Sequence, residues 1–105
     1  MAEDQSVDVV HDEEEGRFVA RIDGVFAGAS YYWYRRGRMV LIHTETQPDY
    51  EGRGVGSSLT RMALDAAREQ DDMVVPLCPF VEGYIGRHQE YADLLDNEMF
   101  HEMRS

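Results

Sequence analysis

The chain has 105 residues, which allows one compact domain, predicted to span residues 1–105, and excludes a large multidomain enzyme. Its formal net charge is -11, and all 10 basic residues are arginine. Such a surface repels phosphate backbones and anionic lipids, so the charge predicts no nucleic-acid or membrane partner and favours cationic ones.

Four β-strands are predicted in the first half of the chain, because apolar residues alternate with polar ones or cluster in β-branched and aromatic runs. The predicted strands are centred on Val7 and Val9, on Phe18 to Ile22, on Ala27 to Tyr34 and on Met39 to Thr46. Turn sequences separate them: the acidic run that ends at Gly16, then Asp23-Gly24, then Arg36-Gly37.

The second half changes to a helical period. Apolar residues recur at spacings of three and four, so a helix is predicted from Gly54 to Gln70 with one face inward, formed by Val55, Leu59, Met62, Ala63 and Ala66. A strand over 74–76 follows, then helical segments over 80–87 and 91–95 around a break at 88–90, and a frayed tail from Glu98. The order ββββαβα predicts an α/β fold with a mixed, mostly antiparallel sheet and flanking helices.

A location in the cytoplasm is expected. The single cysteine, Cys78, has no partner for an internal disulfide, and the acidic N-terminus does not resemble a signal peptide. The longest apolar stretch, residues 74–81, is interrupted by two prolines and is far shorter than the roughly 20 residues that cross a bilayer.

A glycine loop is the most informative motif. The predicted strand that ends at Thr46 leads through residues 47–51 into Gly52-Arg53-Gly54-Val55-Gly56-Ser57, which opens the long helix. The first amides of a helix lack internal partners and carry the positive end of its dipole, so this junction is typical of an anion site. Neither familiar nucleotide fingerprint is present, and a simple tight turn is the alternative.

The loop resembles the acetyl-CoA loop of the GCN5-related N-acetyltransferases, whose pattern is Arg or Gln, two residues, Gly, one residue, then Gly or Ala. Gly54-Val55-Gly56 supplies the end of that pattern, while Glu51 occupies the Arg or Gln position. Further matches to the smallest members cover about residues 16–95 and include His43-Thr44-Glu45, the segment 75–80, and Tyr84, Ile85, His88 and Tyr91.

This resemblance implies that acetyl-CoA is the cofactor. The loop amides of such proteins cradle the pyrophosphate, and the pantetheine arm lies in a V-shaped opening between the strands on either side of the helix, here residues 39–46 and 74–76. The residues expected to bind the cofactor are Thr46, Gln47, Gly52, Arg53, Gly54, Val55, Gly56 and Ser57.

Candidate catalytic residues flank the predicted opening. A period of two places Met39, Leu41, His43 and Glu45 on one face of their strand, so His43 and Glu45 form either a proton acceptor or a structural pair. The resemblance places Cys78 near the acetyl group, where it is a buried small side chain, a proton donor or a nucleophile. Tyr84 is a candidate acid or a core aromatic. Histidine and cysteine spacing predicts no metal site.

The sequence therefore predicts an acetyl-CoA-dependent N-acetyltransferase that acts on a primary amine. The acidic surface suits a polyamine, a protein lysine or a protein N-terminus, including one on a basic protein or peptide. The alternative is a non-catalytic CoA-binding or regulatory module, or a small interaction domain in which the glycine loop is only a turn.

Overall fold

The computed structural model describes residues 7–104 and contains a five-stranded sheet with three α-helices. The predicted order of strands and helices is confirmed. The elements are β1 (Val7–Asp12), β2 (Arg17–Ile22), β3 (Val25–Arg35), β4 (Arg38–Thr46), α1 (Val55–Glu69), β5 (Met73–Pro76), α2 (Pro79–Arg87) and α3 (Asn97–Arg104), with 3-10 helices at Pro48–Tyr50 and Gln89–Leu94.

The sheet is mixed, as predicted. Its strands lie in the order β1-β2-β3-β4-β5, with antiparallel pairing throughout except between β4 and β5, which are parallel and joined through α1. Two-residue turns close the β2–β3 and β3–β4 hairpins, and both central residues of each turn have positive φ, as type I′ turns require: Asp23, Gly24, Arg36 and Gly37.

The core lies between the sheet and α1. Val55, Leu59 and Ala63 are fully buried there as predicted, whereas the prediction for Met62 was wrong, because its side chain is 40% exposed. Met62 lies at the edge of the sheet and lines a shallow cleft with Val7 and Val9 of β1. Within the described residues, no helix is long and apolar enough to span a membrane.

A β-bulge in β4 changes which residues share a face. Tyr31 pairs with His43, but its neighbour Tyr32 pairs with Leu41, so Ile42 is an extra residue on β4. Met39 and Leu41 face the core, as predicted. His43 and Glu45 lie on the opposite face, so the prediction that they share a face with Met39 and Leu41 was wrong, because the extra residue reverses the alternation.

The end of the chain also differs from its prediction. The tail from Glu98 was predicted to fray, but residues 97–104 form α3, which packs against β5. Asp96 explains this helix: its Oδ1 accepts a hydrogen bond from the Met99 amide, and its Oδ2 lies 2.6 Å from Arg38 Nε. The Arg38 guanidinium and the backbone amides of Met99 and Glu98 hold the pKa of Asp96 below its ordinary value.

Candidate functional site

An opening separates β4 from the chain that follows β5. The two strands pair only from Arg38 with Met73 to Leu41 with Pro76. The Cys78 amide then donates to the Leu41 carbonyl oxygen at 3.0 Å, and the chain turns away into α2. Among the described strands, residues 43–46 of β4 are therefore paired only with β3, which leaves an extended edge free on the side of the opening.

The N-terminus of α1 follows directly from this free edge. Gly54 caps the helix in the left-handed region, with φ 80°, and no side chain caps it. The first helical amide with a backbone acceptor is that of Ser58, which donates to the Gly54 carbonyl oxygen. The amides of Val55, Gly56 and Ser57 therefore point out of the helix end, where the helix dipole favours an anion.

A cavity of about 250 Å³ lies over this helix end. Six of the eight residues predicted to bind the cofactor line it: Thr46, Gly52, Gly54, Val55, Gly56 and Ser57. The other two lie beside it. The Gln47 amide donates to the Ala27 carbonyl oxygen and fixes the end of β4, and the Arg53 guanidinium packs over the Tyr50 ring, 5.8 Å from its centroid.

Three further residues complete the cavity: Tyr50, Glu51 and Phe80. Phe80 lies so close to α1 that a Cβ at position 56 would be 2.8 Å from its ring. The sequence signal for Phe80 was its place at the start of α2, immediately after Cys78-Pro79. Glu51 is exposed, and Arg53 supplies a positive charge two residues away.

His43 and Glu45 form a half-exposed polar cluster with Tyr31. The His43 Nε2 atom lies 3.9 Å from Glu45 Oε1, and the Tyr31 hydroxyl donates to Glu45 Oε2 at 3.0 Å. The Tyr31 and His43 rings stack with their centroids 6.0 Å apart. Tyr31 was not predicted as a site residue, because its partnership with His43 depends on strand register.

Cys78 belongs to a different cluster on the core face of β4. Its side chain is 5% exposed, and the thiol donates to Thr44 Oγ1 at 3.5 Å. Ser30 pairs with Thr44 across the strands and is buried, and its hydroxyl has no partner among the described residues. Because residues 43 and 44 point to opposite faces, the structure does not bring Cys78 and the His43–Glu45 pair together.

Tyr84 lies on α2 and is part of the buried core that also contains Cys78. It is 3% exposed and stacks on His88 with ring centroids 3.9 Å apart. Burial raises the pKa of the Tyr84 hydroxyl, and the nearby Arg61 guanidinium partly offsets that effect. Its neighbour Tyr91 donates to Asp65 Oδ1, and burial together with that bond raises the pKa of Tyr91 to about 12.

Comparison with known proteins identifies the class to which this arrangement belongs. A family model described as GCN5-related N-acetyl-transferase matches residues 17–94. That range includes the five elements that form the site: β3, β4, α1, β5 and α2. The chain belongs to the GCN5-related N-acetyltransferase family, whose members generally transfer acyl groups from acyl-CoA.

Relatives support the same assignment. Protein NATD1 of Gallus gallus is 30% identical over 81 residues, covering 75% of this chain and 74% of the relative. Protein NATD1 of Homo sapiens is 30% identical over 79 residues, covering 73% and 70% of the two chains. These proteins are similar to this chain over most of its length.

Solved structures share the fold. A GCN5-like protein from Staphylococcus aureus matches with a TM-score of 0.66 at 18% identity, over 86% of this chain and 88% of that one. N-acetylglutamate synthase from Neisseria gonorrhoeae, solved with coenzyme A and N-acetyl-glutamate, matches with a TM-score of 0.52 at 17% identity, over 69% of this chain and 19% of that one.

Proposed function

We propose that this protein is an acetyl-CoA-dependent N-acetyltransferase whose acceptor is a primary amine. The observation that carries the proposal is the junction of two features on β4. Among the described residues, the strand has a free edge after Leu41, and it leads into a helix whose first amides have no described backbone acceptor. The free strand edge suits the extended pantetheine arm, and the helix N-terminus suits the diphosphate that follows this arm along the cofactor.

The residues around the cavity fit the cofactor. The amides of Val55, Gly56 and Ser57 are oriented for the diphosphate, and the Arg53 guanidinium adds a positive charge beside them. The backbone of residues 42–46 would hold the pantetheine arm along its free edge. When bound, acetyl-CoA supplies an acetyl group activated as a thioester.

The amine acceptor must lose a proton before it attacks, and His43 is placed to take that proton. Its side chain is 62% exposed, so an acceptor reaches it from solvent. Glu45 Oε1 lies 3.9 Å from His43 Nε2, and the Tyr31 hydroxyl fixes the orientation of Glu45. The pair therefore acts as a general base with a positioning tyrosine.

We propose that Cys78 donates a proton, whereas His43 accepts one. The departing thiolate requires a proton, and the Cys78 thiol lies at the N-cap of α2 immediately beyond the point where β4 and β5 separate. At rest this thiol donates a hydrogen bond to Thr44 Oγ1. Transfer of its proton to the CoA thiolate would leave a Cys78 thiolate, which regains a proton from solvent before the next turnover. A buried thiol that already donates a hydrogen bond suits a donor better than a nucleophile.

The net charge of -11 supports a cationic acceptor, and an amine that is protonated in solution meets this condition. Polyamines, lysine side chains and protein N-termini all belong to this class. The alternative function is a CoA-binding or regulatory module without turnover, and the observation in its favour is Glu51, an anion on the wall of the diphosphate cavity.

The test is release of the CoA thiol from acetyl-CoA in the presence of an amine panel that contains spermidine, a lysine peptide and a peptide with a free N-terminus. Release that requires an amine and is lost in His43→Ala supports the proposal. Saturable CoA binding without release for any amine supports the module without turnover. A Glu82→Ala variant, changed at an exposed residue of α2, serves as the control.

A further inference from the structure

A second cavity, of about 550 Å³, lies at the other end of β4 from the glycine loop. Met39 near the start of β4 lines this cavity, whereas Thr46 at its end lines the first one. Met39 and Thr46 are seven residue steps apart along an extended strand, a distance of roughly 23 Å. The residues that line the second cavity are Glu13, Glu14, Glu15, Gly16, Tyr32, Trp33, Tyr34, Met39 and Gln70.

Carboxylates dominate the charge of this cavity. Glu13, Glu14 and Glu15 are all exposed on the β1–β2 turn. Asp72 lies behind the wall: it is 5% exposed, its Oδ1 accepts a hydrogen bond from the Tyr34 hydroxyl at 2.6 Å, and its Oδ2 has no partner among the described residues. The described lining of the cavity contains three glutamates and no arginine, while the Arg35 guanidinium lies beside it over the Trp33 ring.

Aromatic rings form the remaining surface. Trp33 and Tyr34 are 50% and 56% exposed, although residues of this size and polarity are usually covered. The Arg35 guanidinium already lies over the Trp33 ring, 5.7 Å from its centroid, so this ring accepts a cation in the free protein. Carboxylates beside exposed aromatic faces bind ammonium and guanidinium groups.

The backbone adds a third feature. β2 pairs with β3 only as far as Arg17 with Tyr31, and the Tyr32 amide then donates to the Gly16 carbonyl oxygen. Within the described sheet, residues 33–35 pair with β4 alone, so their other side is an open strand edge next to the three glutamates. An open edge can pair with the backbone of another extended chain.

We propose that this surface, formed by residues 13–16 and 32–35, docks an extended segment of a basic protein. The segment lies as a short strand along residues 33–35, and its lysine or arginine side chains contact Glu13, Glu14, Glu15 and the aromatic rings. This surface shares no lining residue with the cavity at the α1 N-terminus. Docking does not depend on acyl transfer and is tested without acetyl-CoA.

Trp33 is the single tryptophan of the chain, so its fluorescence reports directly on this surface. The experiment titrates the full chain with a short peptide of alternating lysine and threonine and follows the Trp33 emission. A saturable change is expected. In the E13Q/E14Q/E15Q variant three exposed ion pairs are lost, and the affinity is expected to fall roughly tenfold.

The control variant E82Q/E98Q/E102Q loses the same charge at exposed positions away from this surface, and its affinity is expected to change less than about twofold. Equal weakening in both triple variants would show attraction by bulk charge alone and would overturn the proposal. An unchanged emission would also overturn it. Spermine that binds as tightly as the peptide, or a peptide with N-methylated amides that binds equally well, would refute strand docking.

Discussion

Gly28 supports the start of α1, and replacing it with alanine should destabilise the protein strongly. A Cβ at this position would lie 2.5 Å from the Glu45 carbonyl oxygen, 2.9 Å from Val55 Cγ1 and 3.3 Å from Thr46 Cα. Two of these three atoms belong to the backbone of β4, so neither moves by a simple side-chain rotation. To relieve these clashes, β4 and α1 must move away from β3 at the point where the proposed cofactor site begins.

The expected cost of Gly28→Ala is about 3 kcal/mol, the upper part of the range for overpacked cores, because the closest contact is with backbone. In a domain of this size that loss corresponds to a fall in Tm of about 15 °C. Urea unfolding followed by circular dichroism measures the free energy of unfolding, and a thermal scan gives the Tm.

Two glycines provide matched controls. Gly56→Ala would place a Cβ 2.8 Å from the Phe80 ring, but that ring is 41% exposed and free to move, so the expected cost is less than about 1 kcal/mol. Gly86→Ala, in α2, meets nothing within 4 Å and should stabilise by about 0.5 kcal/mol. A Gly28→Ala protein as stable as the native chain would refute the close packing of β3 against β4 and α1.

Three further predictions concern the clusters and the C-terminal helix. His43→Ala should lower turnover about 10²- to 10⁴-fold at unchanged acetyl-CoA affinity, compared by thiol release and calorimetry; unchanged turnover would leave His43 and Glu45 a structural pair. Intact-mass analysis should find no acetyl adduct on native protein incubated with acetyl-CoA, and an adduct absent from Cys78→Ser would make Cys78 a nucleophile. Asp96→Asn should cost about 1–2 kcal/mol at pH 7. Because Arg38 lowers the pKa of Asp96, that stabilisation is present above the unfolded value of 3.8 and is lost as pH falls through the folded pKa. Urea unfolding at pH 7 and in acid should therefore show a difference between the two proteins that shrinks on acidification, and a pH-independent difference would contradict the ion pair.

Local patterns in the sequence were sufficient for most of the fold. Alternation in β2 and β4, the two-residue turns and the helical period of residues 55–69 each depend on neighbours in the chain, and each predicted element is present. The glycine loop was recognisable because a residue with positive φ, or one that another group approaches closely at the backbone, is usually glycine.

Features that depend on strand register were not predictable in the same way. The bulge at Ile42 leaves no local signal, and it alone places His43 and Glu45 on the face opposite Met39. Tyr31 joins that pair only through the register of β3. The helix after Asp96 was missed although Asp96 is a local N-cap signal for it, because the Arg38 ion pair that holds Asp96 in place joins residues 58 positions apart in sequence.

The most direct test of the account is isothermal titration of the native chain with acetyl-CoA and with CoA, at low and high salt, beside a Gly54→Val variant. Gly54 has a φ of 80°, which a β-branched residue strongly disfavours, so the variant should lose the orientation of the α1 amides. If the α1 amides bind the diphosphate, the native chain shows saturable one-to-one binding and a folded variant binds much more weakly. Absence of binding by well-folded native protein would contradict it.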